Sequence, residues 1–258
     1  MKKTQLIIGS FIILFLMGGA NHSRIPAGVD WKAELIRIDG VINERELRSD
    51  ALPQAIAELT AYHERYPRQA DVLSRLAKCY YFIGKFSQSK KKKLDAYKRG
   101  FDYSQKALAI EPNHLEGNFW HGINIGRYSS TKGALSALNN VRKIVASMEK
   151  VISIDPKFKN AGAHIVLGRV YLEAPGRPFS IGNKKKALEH LQKAKELDPN
   201  YYETRLYLME LYDKQKKSKL AKAEAEWIIT TPFEDKWPVS ARRVKEKAQE
   251  LLKKYRNK

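Results

Sequence analysis

The chain has 258 residues, 43% of them hydrophobic, with 15 Gly and 10 Pro, which is enough apolar material for a continuous core and excludes a low-complexity or collagen-like polymer. Its 48 Lys and Arg against 28 Asp and Glu give a formal charge of +20, so its surroundings are expected to be anionic: phospholipid, an acidic protein, an anionic ligand or nucleic acid. A single cysteine, Cys79, excludes an internal disulfide framework and a cysteine metal cluster.

The N-terminus has the layout of an export signal. Lys2 and Lys3 precede an apolar run at 6–17, and Gly18, Gly19 and Ala20 supply the small residues a signal peptidase needs. Cleavage there gives a mature start near Asn21, and the lack of any Lys, Arg, Asp or Glu between 4 and 23 leaves an uncleaved anchor as the alternative to the 1–20 signal. No cysteine follows the run, so the usual bacterial lipid-attachment signal is missing. Residues 21–50 read as a segment with irregular helix: Trp31, Leu35, Ile36 and Ile38 have helical spacing, Gly40 interrupts it, and residues 42–47 continue it after a kink or restart it. From 51 to 66, Pro53 suits a first helical turn, and Ile56, Leu59 and Tyr62 follow at helical spacing before Pro67. That is a second helix without a well-formed first.

Helical hairpins then follow in register. Leu73, Leu76, Ala77 and Tyr80 have the W-x2-L-G-x2-Y spacing of a tetratricopeptide (TPR) first helix, with Leu for Trp and Ala for Gly, and Ala107 and Pro112 close that unit. Cys79 falls on the same apolar helix and reads as a buried structural thiol. The next unit opens as LEGNFWHGINIGRY at 115–128, with Gly122 as its small crossing residue, and its partner helix runs from Leu135 to Asp155 and Pro156. The clearest unit is LGRVYLEAPGRPFSIGNKKKALEHLQKAKELDP at 167–199. Its Gly168, Ala187 and Ala194 stand where two helices cross closely, Tyr171 and Leu191 fill the space between them, and Pro199 stops the second helix. A fourth unit carries Tyr201, Leu208 and Tyr212, then Ala221, Ala225 and Ile228 up to Pro232. The closing prolines at 67, 112, 156, 199 and 232 are 45, 44, 43 and 33 residues apart, against a standard period of about 34. Val244, Ala248, Leu251 and Leu252 share one face of a last helix within 238–258, expected to cap the apolar end of the stack. The fold class is all-α: a TPR-like helical-hairpin solenoid over 51–237, with long intra-repeat turns and a C-terminal capping helix and basic tail.

Two surfaces are candidates for function. The extra residues of the long repeats are expected in the turns between first and second helices, which emerge on one edge of a solenoid and form a ridge. Along it lie Lys90, Lys91, Lys92 and Lys93, then Arg127 and Lys132, Arg177, Lys184, Lys185 and Lys186, and finally Lys214, Lys216, Lys217 and Lys219. The ridge is either a solvated face or a basic edge toward a membrane surface or an acidic partner. First helices line the concave face, and Tyr81, Phe82, Phe119, Trp120, Asn124, Arg127, Arg169 and Tyr171 fall on or near it, a mixture able to grip a peptide segment or a small ligand, unless the aromatics are core. The six histidines form no HExxH pair, and neither G-x-S-x-G nor a phosphate-binding GxxxxGK[ST] occurs, so no enzyme, cofactor or metal is expected. His121 and His164, on neighbouring first helices, are placed to approach each other. Charge alone supports nucleic acid, and no reading motif accompanies it, so no nucleic-acid partner is expected.

NFWHGINIGRY, ISIDPKFKNAGAHIVLGRVY and APGRPFSIGNKKKALEHLQKA together resemble the T-component family of TRAP transporters, over residues 51–232. The turn Pro175, Gly176, Pro178, Ser180, Gly182 and Asn183 is the most specific part of that resemblance. A more distant likeness is to the eukaryotic regulators of microtubule dynamics, against which the bacterial-type N-terminus argues. The T-component resemblance implies a periplasmic, all-helical binding protein that associates with an extracytoplasmic solute-binding protein, forms a homo-oligomer, a trimer, and holds an anionic or amphiphilic small ligand. It carries over to Trp120, Asn124, Gly126, Gly168, Arg169, Tyr171, Pro175, Pro178 and Gly182. Members are commonly lipoproteins, and this chain lacks the lipid-accepting cysteine. The alternative is a general cell-envelope TPR scaffold that binds protein segments in the groove and uses the basic edge for anionic lipid or an acidic partner.

Overall fold

A computed structural model describes residues 30–233 and 238–256. The described residues form eleven helices in chain order: α1 (Trp31–Asn43), α2 (Ala51–Arg65), α3 (Ala70–Phe86), α4 (Lys90–Ile110), α5 (Leu115–Lys132), α6 (Ala134–Ile154), α7 (Phe158–Glu173), α8 (Lys184–Leu197), α9 (Tyr202–Lys214), α10 (Ser218–Thr230) and α11 (Pro238–Arg256). Odd-numbered helices are the first helices of successive hairpins and even-numbered helices the second. None of them is long and apolar enough to cross a membrane. The 1–20 segment, expected to be an export signal or anchor, lies outside the described residues.

One apolar core runs the length of the stack, from Leu35 in α1 to Leu251 in α11. Its fully buried Leu and Ile side chains, among them Ile38, Leu59, Leu76, Leu167 and Leu191, each contribute about 1.5–3 kcal/mol of burial free energy. The crossings fall at the small residues that the sequence marks. A Cβ on Gly168 would lie 2.6 Å from Leu191 Cγ and 3.3 Å from the Ala187 carbonyl oxygen, and one on Gly122 would overlap the end of Met148. Hydrogen beside these side chains is what allows α7 against α8 and α5 against α6 to approach closely.

The first hairpin is more regular than the sequence suggests. Gly40 does not interrupt α1, which runs through it, because Leu35, Ile38 and Ile42 form an unbroken buried stripe and the Asp30 side chain accepts hydrogen bonds from the Lys32 and Ala33 amides at 3.0 and 3.1 Å. Asp39 then ties α1 to α3 through Arg75 and Lys78, each at 2.8 Å. Among the described residues the hairpin stack therefore includes α1.

The extra residues of the long repeats also fall differently. They lengthen the second helices: α4 and α6 have 21 residues each. Lys90 to Lys93 are good helix formers, and the Ser89 hydroxyl caps them by accepting from the Lys92 amide at 3.4 Å, so the chain has no reason to loop there. The α3–α4 connection is residues 87–89, and the α5–α6 connection is Gly133 alone, whose φ of 145° an L side chain rarely adopts. Only α7–α8 has a long turn, 174–183. Within it the Gly182 amide donates to the Pro175 carbonyl at 2.8 Å, the Asn183 amide donates to the Tyr171 carbonyl at 2.8 Å, and the Asn183 side chain caps α8 through the Lys185 and Lys186 amides.

The last helix does more than cap. It runs along α9, pairing Lys247 with Glu210 at 2.7 Å and Lys254 with Asp213 at 2.7 Å, and its start reaches the beginning of the stack. There the Ser240 amide and hydroxyl donate to the Glu46 carboxylate at 2.9 and 2.6 Å, and Lys85 Nζ donates to Ser240 Oγ at 3.3 Å. The curved stack is closed by this contact between residues 194 positions apart.

Two glycines with opposite surroundings test the packing account. Gly182→Ala, whose Cβ would overlap the Ala174 carbonyl, is expected to lower stability by about 1–3 kcal/mol, whereas Gly40→Ala, with open space around it in mid-helix, is expected to raise it by about 0.5–1 kcal/mol; urea denaturation measures both.

Candidate binding groove

The concave side of the stack forms a half-open groove with a cavity of about 290 Å³. Every odd-numbered helix lines it: Asn43 from α1, Tyr81 and Phe82 from α3, Phe119 and Trp120 from α5, Arg169 from α7, Tyr207 from α9 and Ser240 from α11. Six of the eight residues expected there meet in it, namely Tyr81, Phe82, Phe119, Trp120, Arg127 and Arg169. The rings form a continuous wall, with Tyr81 5.5 Å from Trp120, Tyr81 5.0 Å from Phe82 and Phe119 5.1 Å from Trp120. The buried Trp120 indole N–H has no hydrogen-bond acceptor within the described chain.

Asn124 and Tyr171 are elsewhere. Asn124 is fully buried, and its side-chain amide donates to the Ala77 and Trp120 carbonyls at 3.1 and 2.9 Å, so it ties α5 to α3. Tyr171 is stacked on His190 at 5.6 Å between α7 and α8. An inward-facing position on a first helix serves either the groove or the hairpin, and a rotation of one residue about the helix decides between them.

The groove is rich in cations. The Arg45 guanidinium lies 4.0 Å from the centre of the Phe82 ring, Arg169 lies 4.6 Å from that of Tyr207, and Lys159 lies 5.6 Å from that of Trp120 while pairing with Glu116 at 2.8 Å. Arg169 is held by Glu173 at 2.7 Å. Lys159, Asn160 and Ala161 all have left-handed φ, of 47°, 60° and 56°, a conformation that costs L-residues roughly 1–2 kcal/mol each and here turns the start of α7 over the groove. Burial pushes the Tyr207 phenol up to about 12 and Tyr201 well above its ordinary range, so both stay neutral hydroxyls at pH 7.

Tyr201, Tyr202, Tyr207, Arg45, Lys85 and Lys159 are groove residues absent from the sequence expectation. Tyr207 carried a signal, since it stands on the first helix of the fourth unit. Arg45 carried none, because it stands in the connection after α1 and reaches the groove by packing on Phe82 of α3.

The turn residues have distinct places. Pro175 and Ser180 border a second, apolar cleft between α5, α6 and α7; Gly176 accepts from the Phe179 and Ser180 amides; Gly182 is in close approach to the Ala174 carbonyl; Pro178 is exposed after a cis bond. The lysine ridge is not a set of loops. Lys90, Lys91, Lys92 and Lys93 form the first turn of α4, Lys184, Lys185 and Lys186 the first turn of α8, and Lys216 and Lys217 the approach to α10. These cations oppose the helix dipole, whose N-terminal end favours negative charge. Arg127, expected on both surfaces, lies in the groove.

His121 and His164 do not meet. His121 Nδ1 is 2.9 Å from Ser147 Oγ, and His164 Nδ1 is 3.0 Å from His190 Nδ1 across α7 and α8. Cys79 is fully buried, and burial pushes its thiol up to about 12.

A closed, curved stack of helical hairpins around an aromatic and cationic groove defines a TPR-like helical-repeat protein. The chain belongs to the family described as Regulator of microtubule dynamics protein 1-3, whose family model matches residues 37–174, from α1 to the end of α7. It is 26% identical over 187 residues to Regulator of microtubule dynamics protein 1 of Pongo abelii, covering 66% of this chain and 57% of that protein. It is 27% identical over 175 residues to the mouse (Mus musculus) protein of the same name, covering 62% and 55%. The match thus spans little more than half the length of either relative. A thermophilic TPR protein of Thermus thermophilus shares the fold, with a TM-score of 0.62 at 15% identity over 85% of this chain and 99% of the other.

The T-component resemblance is overturned by this family match, and with it the expectation of a TRAP solute-uptake role. The residues that carried it, such as Gly168 and Tyr171, pack hairpins in any such solenoid, and the Pro175 to Asn183 turn lies beyond the matched span. The likeness set aside as more distant is the family.

Two measurements test the electrostatics. Burial and the neighbouring His190 hold His164 down to about 4, while its unfolded value is about 6.5, so the stability from this neutral pair is complete above about pH 6.5 and is lost as pH falls toward 4. The drop in urea midpoint between about pH 7.5 and about pH 5 is expected to shrink in His164→Gln, and an unchanged drop counts against the assignment. Replacing Lys184, Lys185 and Lys186 together by Glu is expected to raise the thermal midpoint, by agreement with the α8 dipole, and to weaken binding to anionic vesicles at low salt. Unchanged vesicle binding removes the basic-edge idea.

Proposed function

We propose that this chain is a scaffold that holds an acidic segment of a partner protein in its concave inner groove. The observation that carries the reading is the composition of the groove wall: rings from α3, α5 and α9 for side-chain packing, with Arg45, Arg127 and Arg169 among them. Aromatic rings supply large contact area at small conformational cost, and arginine is suited to paired hydrogen bonding with carboxylates. The free Trp120 N–H and the neutral Tyr207 hydroxyl add donors for backbone carbonyls of a bound segment. The chain's charge of +20 favours encounter with such a segment.

Export to the cell envelope is proposed with it, supported by Lys2, Lys3 and the apolar run at 6–17. Photo-crosslinking from the full chain in its own cells tests both. With benzoylphenylalanine at Tyr81, inside the groove, a discrete partner is expected to attach; at Ala146, exposed on the outer side of α6, it is not. Equal capture at both positions, or none at Tyr81, argues against groove binding. An N-terminus at Asn21 in the recovered chain supports export with cleavage, and a cytosolic chain beginning at Met1 argues against it.

A further inference from the structure

The groove opens onto a second cavity of about 450 Å³ between α5, α6 and α7. The amino-terminal half of α6 has no buried residue, and its Ala137, Leu138 and Val141 face across this space toward Val166 and Val170 of α7. The charged groups lining it are Arg127, Arg169 and Glu173, and Glu173 is already paired with Arg169. Ile123, Arg127, Val166 and Arg169 border both cavities, so the two guanidiniums stand at the passage between an aromatic, hydrogen-bonding chamber and an apolar one. Arg127 has no ion pair or side-chain hydrogen bond among the described residues, and the buried Ser180 hydroxyl at the cleft has no partner either.

Resting on the groove reading above, we propose that Arg127 and Arg169 bind the terminal carboxylate of a partner chain that ends in an aliphatic residue. The last side chain enters the α5–α6–α7 cleft and the preceding backbone lies in the aromatic groove. Arg127 has no acid at hydrogen-bond distance, Glu203 acting on it only across the groove, so its guanidinium in a partly dry site calls for a bound anion, and the planar fork of arginine matches a carboxylate in paired hydrogen bonds. The position calls for more than charge. A C-terminal aliphatic residue carries its carboxylate and its apolar side chain on one Cα, which satisfies a cationic passage and an apolar cleft that share a wall. An internal acidic residue would bring backbone amides into the apolar cleft unpaired. A simple acyl anion would fill the cleft and leave the donors of the groove, the Trp120 indole and the Tyr207 hydroxyl, without acceptors.

The test uses the full chain labelled with nitrogen-15 and follows the arginine Nε–Hε resonances, assigned through Arg127→Gln and Arg169→Gln. N-acetyl-leucine, its amide, N-acetylserine and octanoate are added at millimolar concentration. The Arg127 and Arg169 signals are expected to shift with N-acetyl-leucine, with roughly tenfold or weaker affinity for the amide and a clear loss for N-acetylserine. Equal response to the amide removes the carboxylate, and tighter binding of octanoate at the same signals assigns the cleft to an acyl anion; either overturns the proposal, as does the absence of any shift. Retained crosslinking from position 81 alongside a failed titration leaves the groove reading standing and removes only the terminus.

Discussion

The structure depends on how closely paired helices approach within each hairpin. Gly122 and Gly168 have no room for a Cβ against Met148 and Leu191, and Ala187, Ala194, Ala221 and Ala225 are fully buried along the same seams. Close crossing of second helices behind first helices gives each hairpin the same shape, and stacking identical shapes produces a curve with the first helices inside. The groove follows from that curve. Six first-type helices contribute to one lining, and the curvature carries α11 far enough around to meet the α1–α2 connection through Ser240 and Glu46.

The excess positive charge is divided unequally between solvent and interior. The lysines at the starts of α4 and α8 stand in water, where their mutual repulsion and their opposition to the helix dipole are screened and small. Those buried along the concave side are more consequential because less water surrounds them. Several are answered within the chain: Lys78 by Asp39, Lys159 by Glu116, Arg169 by Glu173. Arg127 makes no ion pair at contact distance among the described residues, where the Glu203 carboxylate of the same groove acts on it only from farther away, and its position between a hydrogen-bonding chamber and an apolar one gives the groove a chemical direction. Aromatic contacts to Arg45, Lys159 and Arg169 keep the cations in place without neutralising them.

The family relation and the fold relation rest on different residues. The Thermus TPR protein shares the stack at 15% identity, because a small residue, a ring and an aliphatic at the right spacing suffice to build a hairpin. Those same residues invite resemblance to any protein built this way, which is how the T-component likeness arose. Membership is carried instead by the span from 37 to 174, which begins inside α1, the helix least legible in the sequence.

Local rules were enough for the elements. Closing prolines at 67, 112, 156 and 199, buried small residues and apolar spacing determined an all-helical repeat with a terminal cap, since each of these acts within one helix or one hairpin. Six groove residues were legible for the same reason, because the concave face belongs to first helices. Residues 90–93 fall in a helix and not in the turn that a fixed repeat period suggests, because lysine is a good helix former and Ser89 a sufficient cap. Asn124 and Tyr171 have groove-side spacing in the sequence, yet a small rotation of each helix turns them into the packing between helices. What only the tertiary structure decided is the closure: Arg45, Tyr201 and Ser240 meet because small rotations between successive hairpins accumulate over the whole stack. No local pattern records such a sum, so the sequence determined the walls of the groove, and the assembled curve alone decided which residues face each other across it.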